Sequence, residues 1–539
     1  MRPAILALLV PAVFTAQAAD SRQTEVDHIF AAFNTHTPGC AVGVAQHGSV
    51  ALKAGYGMAD LERNVPITPD TIFESGSVAK QFTAMALLLL EQQGKISLDD
   101  PLGKYLPELP DYGSPLTVRH VLSHVSGLRE WRLPALLAGT PEGTYILDNH
   151  DLLRMAAKQR ALNFVPGTAY SYTNTGFNIS TILIERALGN GTTFQDFTRG
   201  AIFEPLGMTH TRWRDDFRAV VPNRALSYHA IPAGGWVQDT PVENIIGAGG
   251  LLSTVGDWLL WNENFTDAKV GGGEIVRAQQ TPAKLVDGRT IAYAKGLEIA
   301  TLDGLREVSH SGSTGGYRTY LARFPDQTVS VAVMCNTPAG NPVLLGRQTA
   351  RLWTGGKPAS EPTAINVQTS TLQQLTGMYR KQRDNTVVDL MLKDGKLAFS
   401  PGSALVPTAP GTFVAGERKL VFEGSGFRDV TPNGDTVYER VEVALPNDEE
   451  LRSFAGNYES PDTGSPVTIA LKDSGLMFAI ASQPALRMRP TFRDGFMIDA
   501  PGAGAASVRF LRDTGGKVTG FSAGDDRAWD IRFERVDRR

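Results

Sequence analysis

Three short patterns in this chain hold groups that could act together on a carbonyl: Ser77-Val78-Ala79-Lys80, Tyr172-Thr173-Asn174 and His310-Ser311-Gly312-Ser313. A serine hydroxyl is a poor nucleophile near neutral pH, so it needs a basic neighbour and donors for the oxyanion it creates. Residues i and i+3 share a helix face, which would set the Lys80 amine one turn below the Ser77 hydroxyl. Tyr172, with its pKa lowered by a nearby lysine, can relay the proton, while the Asn174 amide can hold Lys80 and bind a substrate carbonyl. Gly312 lets substrate approach the backbone, the Ser313 N–H is a second oxyanion donor, and His310 is a weak, pH-dependent cation. Each pattern is loose by itself. A solvated Ser and Lys, a structural loop Tyr and Asn, and a Gly-rich strand entry are the plain alternatives.

These groups need elements to hold them. Phe82, Ala84, Met85, Ala86 and the run Leu87 to Leu90 continue without a break from the first pattern. They predict a largely buried helix starting at about Ser77, whose own N–H then lies among the unpaired donors at the positive helix end. The Pro166-Gly167 turn before Tyr172 and a helical pattern from Gly176 to Leu188 place the second motif on a loop. Residues 317 to 325 alternate as a strand, so His310 to Gly312 would form one wall of a cleft.

The whole chain has 539 residues, too many for one hydrophobic core. Residues 1–18 carry Arg2, an apolar run from Ile5 to Phe14 and Ala16-Gln17-Ala18, the pattern of a secretory signal peptide, so a periplasmic or secreted protein is expected. No later stretch is apolar enough to span a membrane. Lys plus Arg number 52 against 56 Asp plus Glu, a net charge of -4, which argues against nucleic acid or an anionic membrane as partner. Cys40 and Cys335 flank two apolar runs that would meet if they were antiparallel neighbours; a disulfide and two buried thiols both fit.

From about 20 to 355, short β-like runs bracket long helical patterns. A linker follows at 356–364, and beyond it short alternating runs argue for antiparallel β structure. That half repeats itself. Leu375-Thr376-Gly377-Met378-Tyr379 is echoed by Phe454-Ala455-Gly456-Asn457-Tyr458, and Leu392 to Phe399 by Leu471 to Phe478, both at an offset of 79 residues (456 minus 377 and 471 minus 392). Both copies close on Glu-Arg-Val, at Glu439 and Glu534. Two related β-domains, at 365–447 and 448–539, are expected, each a small closed or nearly closed barrel.

Taken together, the three motifs occur once each and in the order Ser-x-x-Lys, Tyr-x-Asn, His-x-Gly, which resembles the serine β-lactamase and penicillin-binding-protein superfamily. The flanks Phe73-Glu74-Ser75-Gly76-Ser77, Leu122 to Leu128 and Gly247 to Thr254 are similar too, and the resemblance spans residues 27 to 350. It implies an α+β fold: a five-stranded antiparallel sheet with helices on both faces beside a helical lobe, with the site between them. In that sheet the first and last strands are neighbours, which would bring Cys40 near Cys335. Two C-terminal barrels, Arg129-Glu130-Trp131 and Phe164 to Tyr172 resemble bacterial D-aminopeptidases in particular. In those relatives a loop of the last barrel shapes specificity; the candidate here, Ser482 to Pro490, holds Arg487 and Arg489 and no acid, which speaks against a strict requirement for a substrate amine.

Other matches carry less. Gly520-Phe521-Ser522-Ala523-Gly524 fits a nucleophile elbow, yet no histidine follows His310. His120 and His124 have metal-pair spacing without a third ligand, and Gly247 to Gly250 lacks the ending of a phosphate loop. The chain thus reads as an exported serine hydrolase, without cofactor or metal, that cleaves a small peptide, amide or ester through Ser77, peptidoglycan fragments among the candidates. The catalytic set is Ser77, Lys80 and Tyr172; Asn174, His310, Gly312 and Ser313 bind substrate. The alternatives are a D-Ala-D-Ala carboxypeptidase or β-lactamase of the same fold, and a non-catalytic cell-wall binder or sensor.

Overall fold

A computed structural model describes residues 12–536 apart from 141, 142, 144, 358–361, 401, 403, 417, 482 and 501–503. The start of the expected signal segment, residues 1–11, and the middle of the expected linker lie outside the described residues. The helix Ala12–Ile29 runs through position 18. Among the described residues no helix is long and apolar enough to cross a membrane.

The catalytic half is organised by an antiparallel sheet in the order Glu298–Leu302, Leu305–Thr314, Tyr317–Phe324, Val329–Cys335, Cys40–Gln46, Ser49–Tyr56. It has six strands, one more than expected, because Asp303-Gly304 turns the short run Glu298–Leu302 back onto the edge. Its period-2 alternation decides which helix packs where. Ala41, Ala45, Ala332 and Met334 face one cluster with the helices Lys80–Gln92 and Val255–Asp267. Val42, Val44, Val331 and Val333 face another with Val26, Ala350 and Trp353 of the helices Ala12–Ile29 and Pro342–Thr354, and with Phe30 just past the first of them. Gly43 keeps one helix close, since a Cβ there would sit 3.2 Å from Val255 and Leu259. Cys40 and Cys335 lie directly opposite each other in register and are disulfide-bonded.

Two β units follow, as the duplication implied. Gly456–Glu459 to Ile531–Val536 form a closed eight-stranded barrel. The preceding unit is also an eight-stranded sheet, and among the described residues its edge Lys396–Ser400 is joined to the residues before Val406–Ala409 by an Ala398–Ala404 bridge and a Leu405 N–H to Leu397 C=O bond of 2.7 Å. The repeat is legible in single contacts. Tyr379 and Tyr458 each donate their hydroxyl to the carbonyl four residues back, on Leu375 and Phe454. Arg440 donates to the carbonyls of Gln374 and Thr376, and Arg535 to those of Ser453 and Ala455, so the arginine of each Glu-Arg-Val latches the start of its own barrel to its end.

Candidate active site

The serine sits where the chain turns from a strand into a helix. Gly76–Ala79 form a 3-10 turn that leads into the α-helix Lys80–Gln92, so the regular helix begins at Lys80 and Ser77 stands on its entry turn. Gly76 adopts φ +51, and a Cβ there would lie 2.4 Å from the Ser313 backbone nitrogen. Only glycine lets the Ser77 turn come this close to the strand Leu305–Thr314. Gly312 is equally constrained, with Ser75 C=O at 2.0 Å from its imagined Cβ, and Thr319 Oγ1 donates to that carbonyl at 2.7 Å. The two glycines thus hold the Ser77 turn against the Ser313 backbone, and both serines line one cavity.

Lys80 is fully buried. Its Nζ lies 3.1 Å from Ser77 Oγ, 2.7 Å from Asn174 Oδ1 and 2.9 Å from Ala248 C=O. Burial drives its pKa well below the ordinary lysine range; Glu130 opposes this, and Arg527 and Arg132 add to it. Its three contacts all go to oxygens, and burial favours the neutral amine over the ammonium among them. Asn174 is oriented for this by Glu130, which accepts its Nδ2–H at 2.9 Å and its backbone N–H at 2.5 Å. Burial works against charge on Glu130, yet Arg132, Arg527 and the Asn174 donors hold its carboxyl below the usual range.

Tyr172 is hydrogen-bonded to Ser77, and its pKa is raised, chiefly by burial, although Ser77 and Arg527 pull it down. The expectation of a lowered tyrosine pKa is therefore corrected: Lys80 Nζ does lie 4.8 Å over the ring, but the burial of the phenol outweighs what lowers its pKa. Burial thus favours the neutral phenol at Tyr172. Its loop is set by His124, whose ring lies 4.1 Å from that of Tyr172 and whose Nδ1 accepts the Thr173 N–H. His120 Nδ1 meets the Thr117 backbone and hydroxyl instead, so the two histidines serve the fold separately.

His310 lies on the strand wall but is 2% exposed. Its Nδ1–H donates to Ser311 C=O at 2.6 Å, which leaves Nε2 to accept from Tyr293 O–H at 2.9 Å. Burial, helped by Lys80, lowers its pKa to about 3, while the Ser311 bond acts the other way. The expected pH-dependent cation at this position is therefore absent near neutral pH, and the ring acts as a fixed part of the wall.

The glycine run left aside earlier supports the site: Ala248 supplies an acceptor to Lys80, and Gly247 C=O accepts from Thr83 Oγ1 at 2.8 Å. Ser522 of the elbow-like match is buried on a barrel strand opposite Arg532. The loop expected to reach the cleft does not. Arg487 and Arg489 lie on the strand Leu486–Pro490 and line other cavities, while Ser482 is outside the described residues. The segment Asp525 to Trp529, between the last two barrel strands, takes that place. Its Arg527 lines the Ser77 cavity of about 790 Å3 and stacks 4.9 Å over the Tyr172 ring. Glu130 was marked in the sequence only by the family-like stretch Arg129-Glu130-Trp131, and Arg527 by nothing local. Their roles arise from a contact between positions about 400 residues apart, where Glu130 N–H donates to Arg527 C=O at 3.1 Å.

A serine at a helix entry, a buried lysine and a Tyr-x-Asn loop facing an antiparallel strand fit a hydrolase of the serine peptidase and esterase kind, the class to which the comparisons assign the chain. The chain belongs to the Beta-lactamase family, whose model matches residues 26–352. It is 26% identical over 529 residues to the D-aminopeptidase of Brucella canis, covering 93% of this chain and 96% of that one. With the D-aminopeptidase of Gluconobacter oxydans it shares 32% over 303 residues, 56% of each chain. Its fold matches that of the octameric penicillin-binding protein homologue from Pyrococcus abyssi with a TM-score of 0.57 at 21% identity, over 86% of this chain and 98% of that one.

Proposed function

We propose that the protein is exported and hydrolyses small amides, peptides or esters through an acyl-enzyme on Ser77. The observation that carries this reading is the Lys80 amine, 3.1 Å from the hydroxyl with its two hydrogens occupied by Asn174 and Ala248. Ser77 gives its proton to the Lys80 lone pair as Oγ bonds to the substrate carbonyl carbon. The oxyanion forms between the Ser77 and Ser313 N–H groups. Tyr172, a neutral phenol, donates its proton to the leaving nitrogen or oxygen and recovers one from Lys80 as the tetrahedral intermediate collapses. Water then repeats the sequence on the acyl-enzyme, releasing the acid and restoring Ser77. The D-aminopeptidase relatives support amide cleavage next to a D-residue. Export is supported by the signal-like residues 1–18 and by the Cys40–Cys335 disulfide, since such bonds persist in oxidising compartments.

The test is intact-mass analysis after reaction with a fluorophosphonate, alongside turnover of D-alanine p-nitroanilide. One label on Ser77 and a loss of at least ~1,000-fold in kcat for Ser77→Ala are expected. A label elsewhere, or equal rates for the two proteins, ends this reading and leaves a binding protein.

A further inference from the structure

We infer that Arg527, carried into the catalytic cleft by the second barrel, receives a carboxylate on the substrate, so the site favours acyl groups with a free acid over those with a free amine. The inference deepens the proposed function and rests on Ser77 being the nucleophile.

Charge at the cavity surface points first to an anion. Arg132, Arg318 and Arg527 line it, against Glu243 as the one acid among the described lining residues. Glu243 lies 3.7 Å from the buried Arg214, which counters its charge. His310, whose pKa burial lowers to about 3, adds no cation near neutral pH.

Arg527 stands out among the three arginines. Arg132 pairs with Glu130 at 2.9 Å, and Arg318 spends donors on the carbonyls of Gly315 and Tyr317 at 2.7 Å. Among the described residues no carboxylate lies within ion-pair distance of the Arg527 guanidinium. The two acids beside it in sequence are engaged elsewhere. Asp525 accepts the backbone N–H groups of Arg527 and Ala528 at 2.8 and 2.7 Å, and Asp526 pairs with Lys381 and Arg383.

The backbone that presents Arg527 is clamped as well. Its carbonyl accepts from Glu130 N–H at 3.1 Å and from Asn163 Nδ2 at 2.8 Å. The side chain is exposed and lines the cavity with its guanidinium carbon 4.9 Å from the Tyr172 ring centroid, and a guanidinium so exposed can take a carboxylate with two parallel bonds. A substrate ammonium at the same place would meet like charge and no free acid.

The experiment compares kcat/KM for three p-nitroanilides of D-alanine: N-succinyl, N-acetyl and free amine. The succinyl compound is expected to exceed the acetyl one by about tenfold, with the free amine slowest. Arg527→Ala should bring the succinyl-to-acetyl ratio near one, Arg527→Lys should restore part of it, and Arg527→Glu should favour the free amine. A purely structural role would lower all three rates together and leave the ratios unchanged, and that result overturns the inference, as does a wild-type preference for the free amine. Should none be turned over, protection of Ser77 from a fluorophosphonate by N-succinyl-D-alanine amide against D-alanine amide reads the same preference. Failure of the nucleophile reading is separate: Ser77→Ala would then match the wild type on every substrate.

Discussion

The two barrels come from one repeated sequence unit, yet they stand in different relations to the catalytic domain. The second closes on itself, and its core continues into the catalytic half through Leu133, Leu136 and Leu137 of the helix Arg132–Leu137. Arg129, also buried, joins the two by donating to Asp462 at 2.7 Å and to the carbonyls of Trp529 and Asp530 at 3.0 Å. The first barrel is left unsealed along one seam, encloses a cavity of about 1230 Å3, and touches the loop Asp525 to Trp529 mainly through Lys381 and Arg383. A duplicated module has thus divided its work. One copy is welded to the active-site lobe by apolar burial and a buried ion pair, and the other braces the loop from outside through charged contacts.

That contrast can be broken in four ways, in decreasing order of effect. Arg129→Ala leaves the Asp462 carboxylate buried without its cation and should cost about 3–5 kcal/mol in denaturant unfolding. A loss under 1 kcal/mol would show that the weld is apolar alone. In the barrel cores, Phe521→Ala should cost about 4 kcal/mol, because Phe521 is fully buried against Phe533 at 4.5 Å in a closed barrel. Phe427→Ala in the open barrel, where Phe427 stacks on Tyr438 at 4.5 Å, should cost about 2–3 kcal/mol, since the open seam lets neighbours shift into the space. Equal losses from parallel melts would remove the distinction in packing.

The latch arginines refine it further. Arg535 makes part-buried bonds to Ser453 and Ala455, and its loss to Ala should cost about 2 kcal/mol. The exposed Arg440 makes the equivalent bonds in the first barrel, and about 1 kcal/mol is expected there. Thermal shifts of the two variants, compared with the wild type, check the order. The smallest effect concerns Asp525, whose pKa burial raises from 3.8 to about 6, against the backbone donors of Arg527 and Ala528. A folded pKa above the unfolded one means that the folded state holds the proton more tightly. The stability from this group is therefore complete below 3.8 and lost as pH rises through about 6. Asp525→Asn should flatten the stability profile in that window while keeping the side-chain oxygen that the backbone uses.

Much of this molecule could be read before any coordinates. Ser77 and Lys80 meet because helical geometry joins positions three apart, and the apolar run behind them requires that helix to be buried. The apolar runs that begin at Cys40 and end at Cys335 fitted antiparallel neighbours, and the offset of 79 residues announced two sibling barrels. These features are legible because each depends on periodicity within a short segment, or on comparing two such segments.

What stayed hidden depends on distance in sequence and on burial. No local pattern says that Asp525 to Trp529 docks against Arg129 and Glu130, because that pairing follows from how a barrel seats on a helix far away. Nor could residue type reveal in which direction burial moves the charge states of His310, Tyr172 and Lys80. Those charge states are set by how much water each side chain loses and by which carbonyls and arginines replace it, and both are decided when the tertiary structure closes around them.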